Sequence, residues 1–252
     1  MMFKNLIFIC CLLLVFSCST KKEILYLQDV DQHHNTEIKY TSTTIQPNDI
    51  LRINVSALVP ESTIPYNEVT SGGGQSVELM LLDGYLVSEN STINFPVLGL
   101  ISVKGMTPLE FSDFLKEKLE AEGHLKNPSV NVRVINAKVM VLGEVNNPGT
   151  YNFTEQNITL LQALANAGDL AITGKREDIT VIREEDGLRK IGHVDLTSSD
   201  WLDGEFGYVK PNDVIIVNPS GPKVKSAGFI TNIPSLLSLF SILLSTVIII
   251  TR

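Results

Sequence analysis

The sequence predicts an α+β fold: two small β-rich units, each with one helix, followed by a C-terminal apolar helix long enough to cross a bilayer. Three observations lead there. Short runs of alternating apolar and polar residues recur along the body and are interrupted by two helix-start signatures. A Pro-Asn-Asp turn twice launches an apolar strand, at Pro47-Asn48-Asp49 and at Pro211-Asn212-Asp213. The run from Phe229 to Ile250 carries no charge.

Residues 1–17 hold one basic residue, Lys4, and an apolar core from Leu6 to Phe16. This is signal-peptide anatomy, too short to span a membrane. Val15-Phe16-Ser17-Cys18 closes the core. A small residue before a cysteine at this point is the lipobox pattern of bacterial lipoproteins. There the thiol takes a diacylglycerol, and cleavage leaves the cysteine as residue one. Cys18 is therefore the expected lipidation site; an ordinary signal peptide with Cys18 unmodified is the plainer alternative. Ser19 stands where an Asp commonly retains lipoproteins in the inner membrane, which favours the outer membrane. Cys10 and Cys11 fall in the discarded segment, so the remaining body has no partner for a disulfide, a zinc-thiolate site or a cysteine nucleophile.

Residues 18–44 form a polar tether and lead-in, with an early structured segment around Ile24-Leu25-Tyr26-Leu27. The first unit spans residues 45–136. Leu51, Ile53, Val55 and Ala57 alternate on one face of its first strand, and Pro60 ends it. A loop with Ser71-Gly72-Gly73-Gly74 follows, then short strands at Val77–Leu82, Tyr85–Val87, Thr92–Phe95 and Leu100–Val103. Thr107-Pro108-Leu109-Glu110 opens a helix with a capping box. Leu109, Phe111, Phe114, Leu115 and Leu119 supply its apolar face, Gly123 stops it, and Val130, Val132 and Val134 alternate in the next strand.

The second unit spans residues 137–220. It has a strand at Val139–Leu142, a turn over Gly143–Gly149, and a second capping-box start at Thr159-Leu160-Leu161-Gln162. That helix stops at Gly168. Strands follow at Ile179–Arg183 and Ile191–Val194, and Val209–Val217 closes the unit.

Several chemistries are missing. The chain carries a formal charge of −8. Removing residues 1–17 leaves 19 basic against 28 acidic residues, about −9, so nothing marks a nucleic-acid footprint. Gly168 to Arg176 fails as a phosphate loop on spacing, and because Arg176 stands where a Ser or Thr is needed. His33, His34, His124 and His193 lack metal-ligand spacing. Glu184-Glu185-Asp186-Gly187 reads as a charged hairpin turn, and no nucleophile triad stands out. The expectation is no enzyme, no cofactor and no metal.

The body resembles the Wza-like polysaccharide export outer-membrane lipoproteins. The first unit is similar to the family's polysaccharide export domain through Ile45-Gln46-Pro47-Asn48-Asp49-Ile50-Leu51-Arg52-Ile53, Phe95-Pro96-Val97-Leu98-Gly99-Leu100-Ile101 and Val103-Lys104-Gly105-Met106-Thr107. The helix after Thr107 and the Asn127-Pro128-Ser129-Val130 strand complete the match. Asn48 replaces the family's usual Gly; Asn also tolerates the left-handed conformation. The second unit is similar to the soluble-ligand-binding (SLBB) β-grasp domain through Val141-Leu142-Gly143-Glu144-Val145, Pro148-Gly149-Thr150-Tyr151 and the run from Thr159 to Gly168. The resemblance implies a homo-oligomeric ring in the outer membrane that lets capsular polysaccharide or exopolysaccharide leave the periplasm. It also implies an inner-membrane co-polymerase or chain-length regulator as partner.

Phe229–Ile250 would extend roughly 33 Å as a helix, enough to span the hydrocarbon core. Thr231, Ser235, Ser238, Ser241 and Ser245 step by four, three, three and four along it, which places them on one face. The stripe either lines a wetted pore in a ring of helices or lets neighbouring helices pack closely. The expectation is an export-channel subunit anchored by Cys18, with its body in the periplasm. The alternative is a periplasmic glycan-binding adaptor with an inner-membrane tail, and a weaker one is glycan hydrolysis.

Overall fold

Alternation in the sequence becomes alternation in space. In strand β1 (Ile50–Ser56), Leu51, Ile53 and Val55 point into a core, while Arg52, Asn54 and Ser56 face outward. Ala57 lies past the strand's end. The computed structural model of the chain describes residues 24–32, 42–67, 77–185, 187–221, 223, 237, 238, 241, 242, 245, 246 and 249. The turn before β1 holds Asn48 at φ 70°, the left-handed conformation that Asn accepts. A 3-10 stretch, Pro60–Tyr66, then buries Thr63 and Tyr66.

The strand expected at Val77–Leu82 is a helix, α1 (Val77–Leu82). Its Glu, Leu and Met residues favour helix, and the run lacks a period of two. Then come β2 (Tyr85–Leu86), β3 (Thr92–Phe95), β4 (Gly99–Ser102), helix α2 (Pro108–Ala121) and β5 (Ser129–Val134). β1 is the centre of an antiparallel sheet in the order β2-β1-β5, and β3 pairs with β4 as a separate hairpin.

Helix α2 starts at a complete capping box: Glu110 N donates to Thr107 Oγ1 at 3.2 Å, and Thr107 N donates to Glu110 Oε2 at 2.8 Å. Phe111, Leu115 and Leu119 are fully buried. Leu109 and Phe114, expected on that face, are 70% and 37% exposed. At 100° per residue Leu109 lies roughly 120° round the helix from the middle of the Phe111, Leu115, Leu119 stripe, and Phe114 roughly 100°. Ser112 Oγ donates to Val130 O at 2.6 Å and pins the helix to β5.

The second unit contains β6 (Lys138–Gly143), β7 (Gly149–Asn152), β8 (Ile158–Thr159), helix α3 (Leu160–Asn166), β9 (Gly174–Glu185), β10 (Leu188–Val194), β11 (Tyr208–Val209) and β12 (Val214–Pro219). Its five-stranded sheet runs β10-β9-β12-β6-β7. β12 and β6 pair in parallel and the other neighbours are antiparallel. Helix α3 opens at the second capping box, Thr159 with Gln162, and buries Leu160, Ala163 and Leu164. These residues share a core with Val139, Val141, Ile179, Val181, Ile215 and Val217. Val134 packs against both cores, and Asn136, the last residue of the first unit, is fixed to the start of β1, accepting from Ile50 N at 2.8 Å and donating to Asn48 O at 2.9 Å.

Among the described residues, no helix is long and apolar enough to cross a membrane. The expected span Phe229–Ile250 lies largely outside the described residues, as do the signal peptide, Cys18, His33 and His34.

Candidate functional site

The two Pro-Asn-Asp turns are built alike and end differently. Asn48 and Asn212 sit at φ 70° and 67°. Asp49 Oδ2 accepts from Gln46 N at 2.9 Å, and Asp213 Oδ2 accepts from Lys210 N at 2.9 Å. Both carboxylates are buried. Asp213 meets Arg183, whose Nε and Nη2 donate at 3.0 and 2.7 Å. Arg183 also donates to Glu205 O and Tyr208 O at 2.9 and 2.8 Å, and stacks over Phe206 at 5.0 Å. Every face of this buried guanidinium is used, which is the condition for a tolerable interior ion pair. Among the described residues no cation pairs with Asp49 in this way. Burial pushes its carboxyl up to about 6, against the Gln46 N–H.

At one end of the second unit two loops zip together. Val145 bridges Leu170, Asn146 N donates to Asp169 O at 3.0 Å, and Ala171 N donates to Glu144 O at 2.9 Å. The sequence motif here needs its glycines. Gly143 lies at φ 89°, and a Cβ would sit 2.1 Å from Val217 O; at Gly168 it would sit 2.5 Å from Asn147 Nδ2.

Both ends of the described body fasten to this loop pair. From the lead-in, Tyr26 Oη donates to Asp169 Oδ1 at 2.6 Å, and Arg176 stacks over the Tyr26 ring at 5.4 Å. Burial, then Asp169, pushes the Tyr26 phenol up to about 12. Leu27 N and Gln28 N donate to Leu196 O and Thr197 O at 3.0 and 2.8 Å. From the exit, Lys223 Nζ donates to both oxygens of Glu144 at 2.6 Å, and Thr173 Oγ1 donates to the same carboxylate at 2.6 Å. Lys223 first, and Thr173 after it, holds the Glu144 carboxyl below its usual range. The sequence marks residues 24–27 as structured, but nothing in it names Asp169 or Glu144 as docking points.

Of the stripe, Ser238, Ser241 and Ser245 are described; all three are helical and exposed. Ser245 Oγ donates to Ser241 O at 2.8 Å, and Thr246 Oγ1 to Ile242 O at 2.8 Å. Thr231, Ser235 and Cys18 lie outside the described residues. His124 and His193 pair with Glu122 and Asp178 at 3.4 and 2.6 Å. Among the described residues no group of three His, Cys, Asp or Glu side chains could hold a metal ion.

Comparison with known proteins matches residues 39–135 to the polysaccharide biosynthesis/export protein family and residues 138–191 to the SLBB domain. The EPS I polysaccharide export outer membrane protein EpsA of Ralstonia solanacearum is 32% identical over 199 residues, covering 76% of this chain and 51% of the relative. Its namesake from Ralstonia nicotianae is 32% identical over 168 residues, covering 60% and 42%. The chain thus spans about half the length of these curated relatives. Two β-rich units in this order, matched one by the polysaccharide export model and the other by the SLBB model, give this chain the domain pair of a Wza-like polysaccharide export protein.

Proposed function

We propose that the chain is a subunit of an outer-membrane polysaccharide export channel, passing capsular polysaccharide or exopolysaccharide from periplasm to cell surface as a ring of copies. The observation that carries this is the convergence of Tyr26 and Lys223 on one loop pair. Cys18 lies eight residues before Tyr26, within about 28 Å of fully extended chain, and Phe229 lies six residues after Lys223, within about 21 Å. A lipid on Cys18 and a helix over Phe229–Ile250 would therefore hold the same end of the second unit against one bilayer. The relatives' names point to the outer membrane as that bilayer.

In this reading the second unit sits next to the membrane, and the C-terminal helices of several copies form the exit. Thr231, Ser235, Ser238, Ser241 and Ser245 would line it with neutral hydroxyls. The back-bonding of Ser245 to Ser241 O satisfies its proton within the helix and leaves oxygen lone pairs for water or sugar hydroxyls. Energy would come from an inner-membrane co-polymerase, since the sequence offers no nucleotide loop.

A cysteine placed at Thr251 tests the topology. Reaction with an impermeant maleimide in intact cells is the expected result. Protection, together with inner-membrane fractionation, would sink the channel reading and favour a glycan-binding adaptor. Replacing Ser238 and Ser241 by Leu should reduce surface polysaccharide while oligomers still form. Loss of assembly instead would assign the stripe to helix packing.

A further inference from the structure

The first unit carries a cleft of about 580 Å³ on the outward face of its sheet, and the channel reading makes no use of it. The β1–β5 register sets Arg52 opposite Arg133, Asn54 opposite Asn131 and Ser56 opposite Ser129. Each pair is polar and matched, and all six side chains are exposed. Like charges directly opposite on antiparallel strands destabilise a sheet. No carboxylate among the described residues pairs with either arginine; Arg52 reaches Met80 Sδ at 3.7 Å. Asp83 also lines the cleft, so the described lining holds two guanidinium groups against one carboxylate.

The edge of the sheet opens into the same place. β2 covers β1 only at Ile50 and Leu51. At Val55 the side chain of Asn67 stands in for a partner strand, accepting from Val55 N at 2.8 Å and donating to Val55 O at 2.7 Å. Between these two points, among the described residues, no strand covers that edge of β1 at Ile53.

We infer that this cleft binds carboxylate-bearing saccharide segments of the transported polymer; the inference rests on the export reading and adds a substrate class to it. Guanidinium groups take a carboxylate through two parallel N–H donors, and they stay charged at any working pH. The Asn54 and Asn131 amides each offer donors and an acceptor for sugar hydroxyls. The chain's net charge of −8 repels a polyanion in general, so capture falls to this local pair. Exposure keeps the capture weak and salt-sensitive, which suits a conduit that must also release its cargo.

The test titrates the purified full chain with a galacturonic acid hexamer and, separately, with maltohexaose. Saturable binding of the acidic hexamer is expected, with neutral maltohexaose at least about tenfold weaker. The double variant Arg52→Gln, Arg133→Gln should lose the acidic hexamer by a similar factor. It should remain folded by circular dichroism, because removing opposed like charges relieves the sheet. Equal binding of both hexamers, unchanged binding in the double variant, or displacement of the hexamer by equimolar inorganic phosphate would each overturn the assignment. Surface polysaccharide in a strain lacking the chain separates the two readings. If export fails in that strain while the hexamer does not bind, only the cleft assignment falls.

Discussion

Asp49 offers a sharp quantitative test of the first unit. Its side chain is 3% exposed, and burial raises its carboxyl from an ordinary 3.8 to about 6. A carboxyl raised in the folded state favours the protonated form there. The folded chain therefore holds more protons than the unfolded chain between those two values, and stability falls as pH rises through the window. A rise of that size corresponds to about 3 kcal/mol of destabilisation at neutral pH. Asp49→Asn removes the buried charge but keeps an oxygen to accept from Gln46 N. The variant should match the parent near pH 3.5 and exceed its stability by about 3 kcal/mol at pH 7, with the gain accruing between about pH 4 and 6. Urea unfolding followed by circular dichroism gives the difference, and hydrogen exchange of the β1 amides localises it to the first unit. Other titrating groups are common to both proteins and cancel in the comparison. Arg133 borders the same cleft between the units as Asp49. If Asp49→Asn proves less stable at pH 7, the carboxylate has a charge partner such as Arg133 and the reasoning fails.

Other perturbations have equally definite signs. Arg183→Met strips buried Asp213 of its ion-pair partner and should cost about 3–5 kcal/mol at pH 7, read by Trp201 fluorescence in the second unit. Thr107→Ala and Thr159→Ala each break a capping box and should each lower stability by about 1 kcal/mol in urea titrations. Gly143→Ala would drive a methyl against Val217 O and should part the end of the parallel β6–β12 pairing, seen as faster exchange of the Glu144 amide. Tyr26→Phe removes the donor to Asp169 and should loosen residues 24–32 to proteolysis, leaving the unfolding midpoint of the body little changed.

Periodic and capped elements are legible from the residues alone. The β1 alternation, both capping boxes and the left-handed Asn of each Pro-Asn-Asp turn follow from local rules that need no tertiary partner. Val77–Leu82 passes for a strand because a short apolar run has no period to separate strand from helix. The apolar face of α2 is narrower than its composition suggests, because composition does not say how broad a stripe the sheet will cover; Leu109 shows the excess. Arg183, Asp213, Glu144 and Asp169 are invisible as a group in the sequence. Their partners lie between 22 and 143 residues away, and only the fold supplies those pairings.

The path of the chain bears on how such a subunit would carry load. The lead-in docks on the second unit at Tyr26, Leu27 and Gln28 before the chain enters the first unit at Ile45. The exit docks on the same loop pair at Glu144. Tension on either end is therefore taken up within the second unit, through the zipped loops and the central sheet beneath them. The first unit meets the second through Val134, which packs against both cores, and lies outside that line of force. In the proposed channel, its sheet face, with Arg52 and Arg133, would then meet the polymer without being strained by pull on either end. A subunit with its lead-in docked on the first unit would transmit the same pull through Asn136, whose amide bonds Asn48 and Ile50 on either side of the buried Asp49.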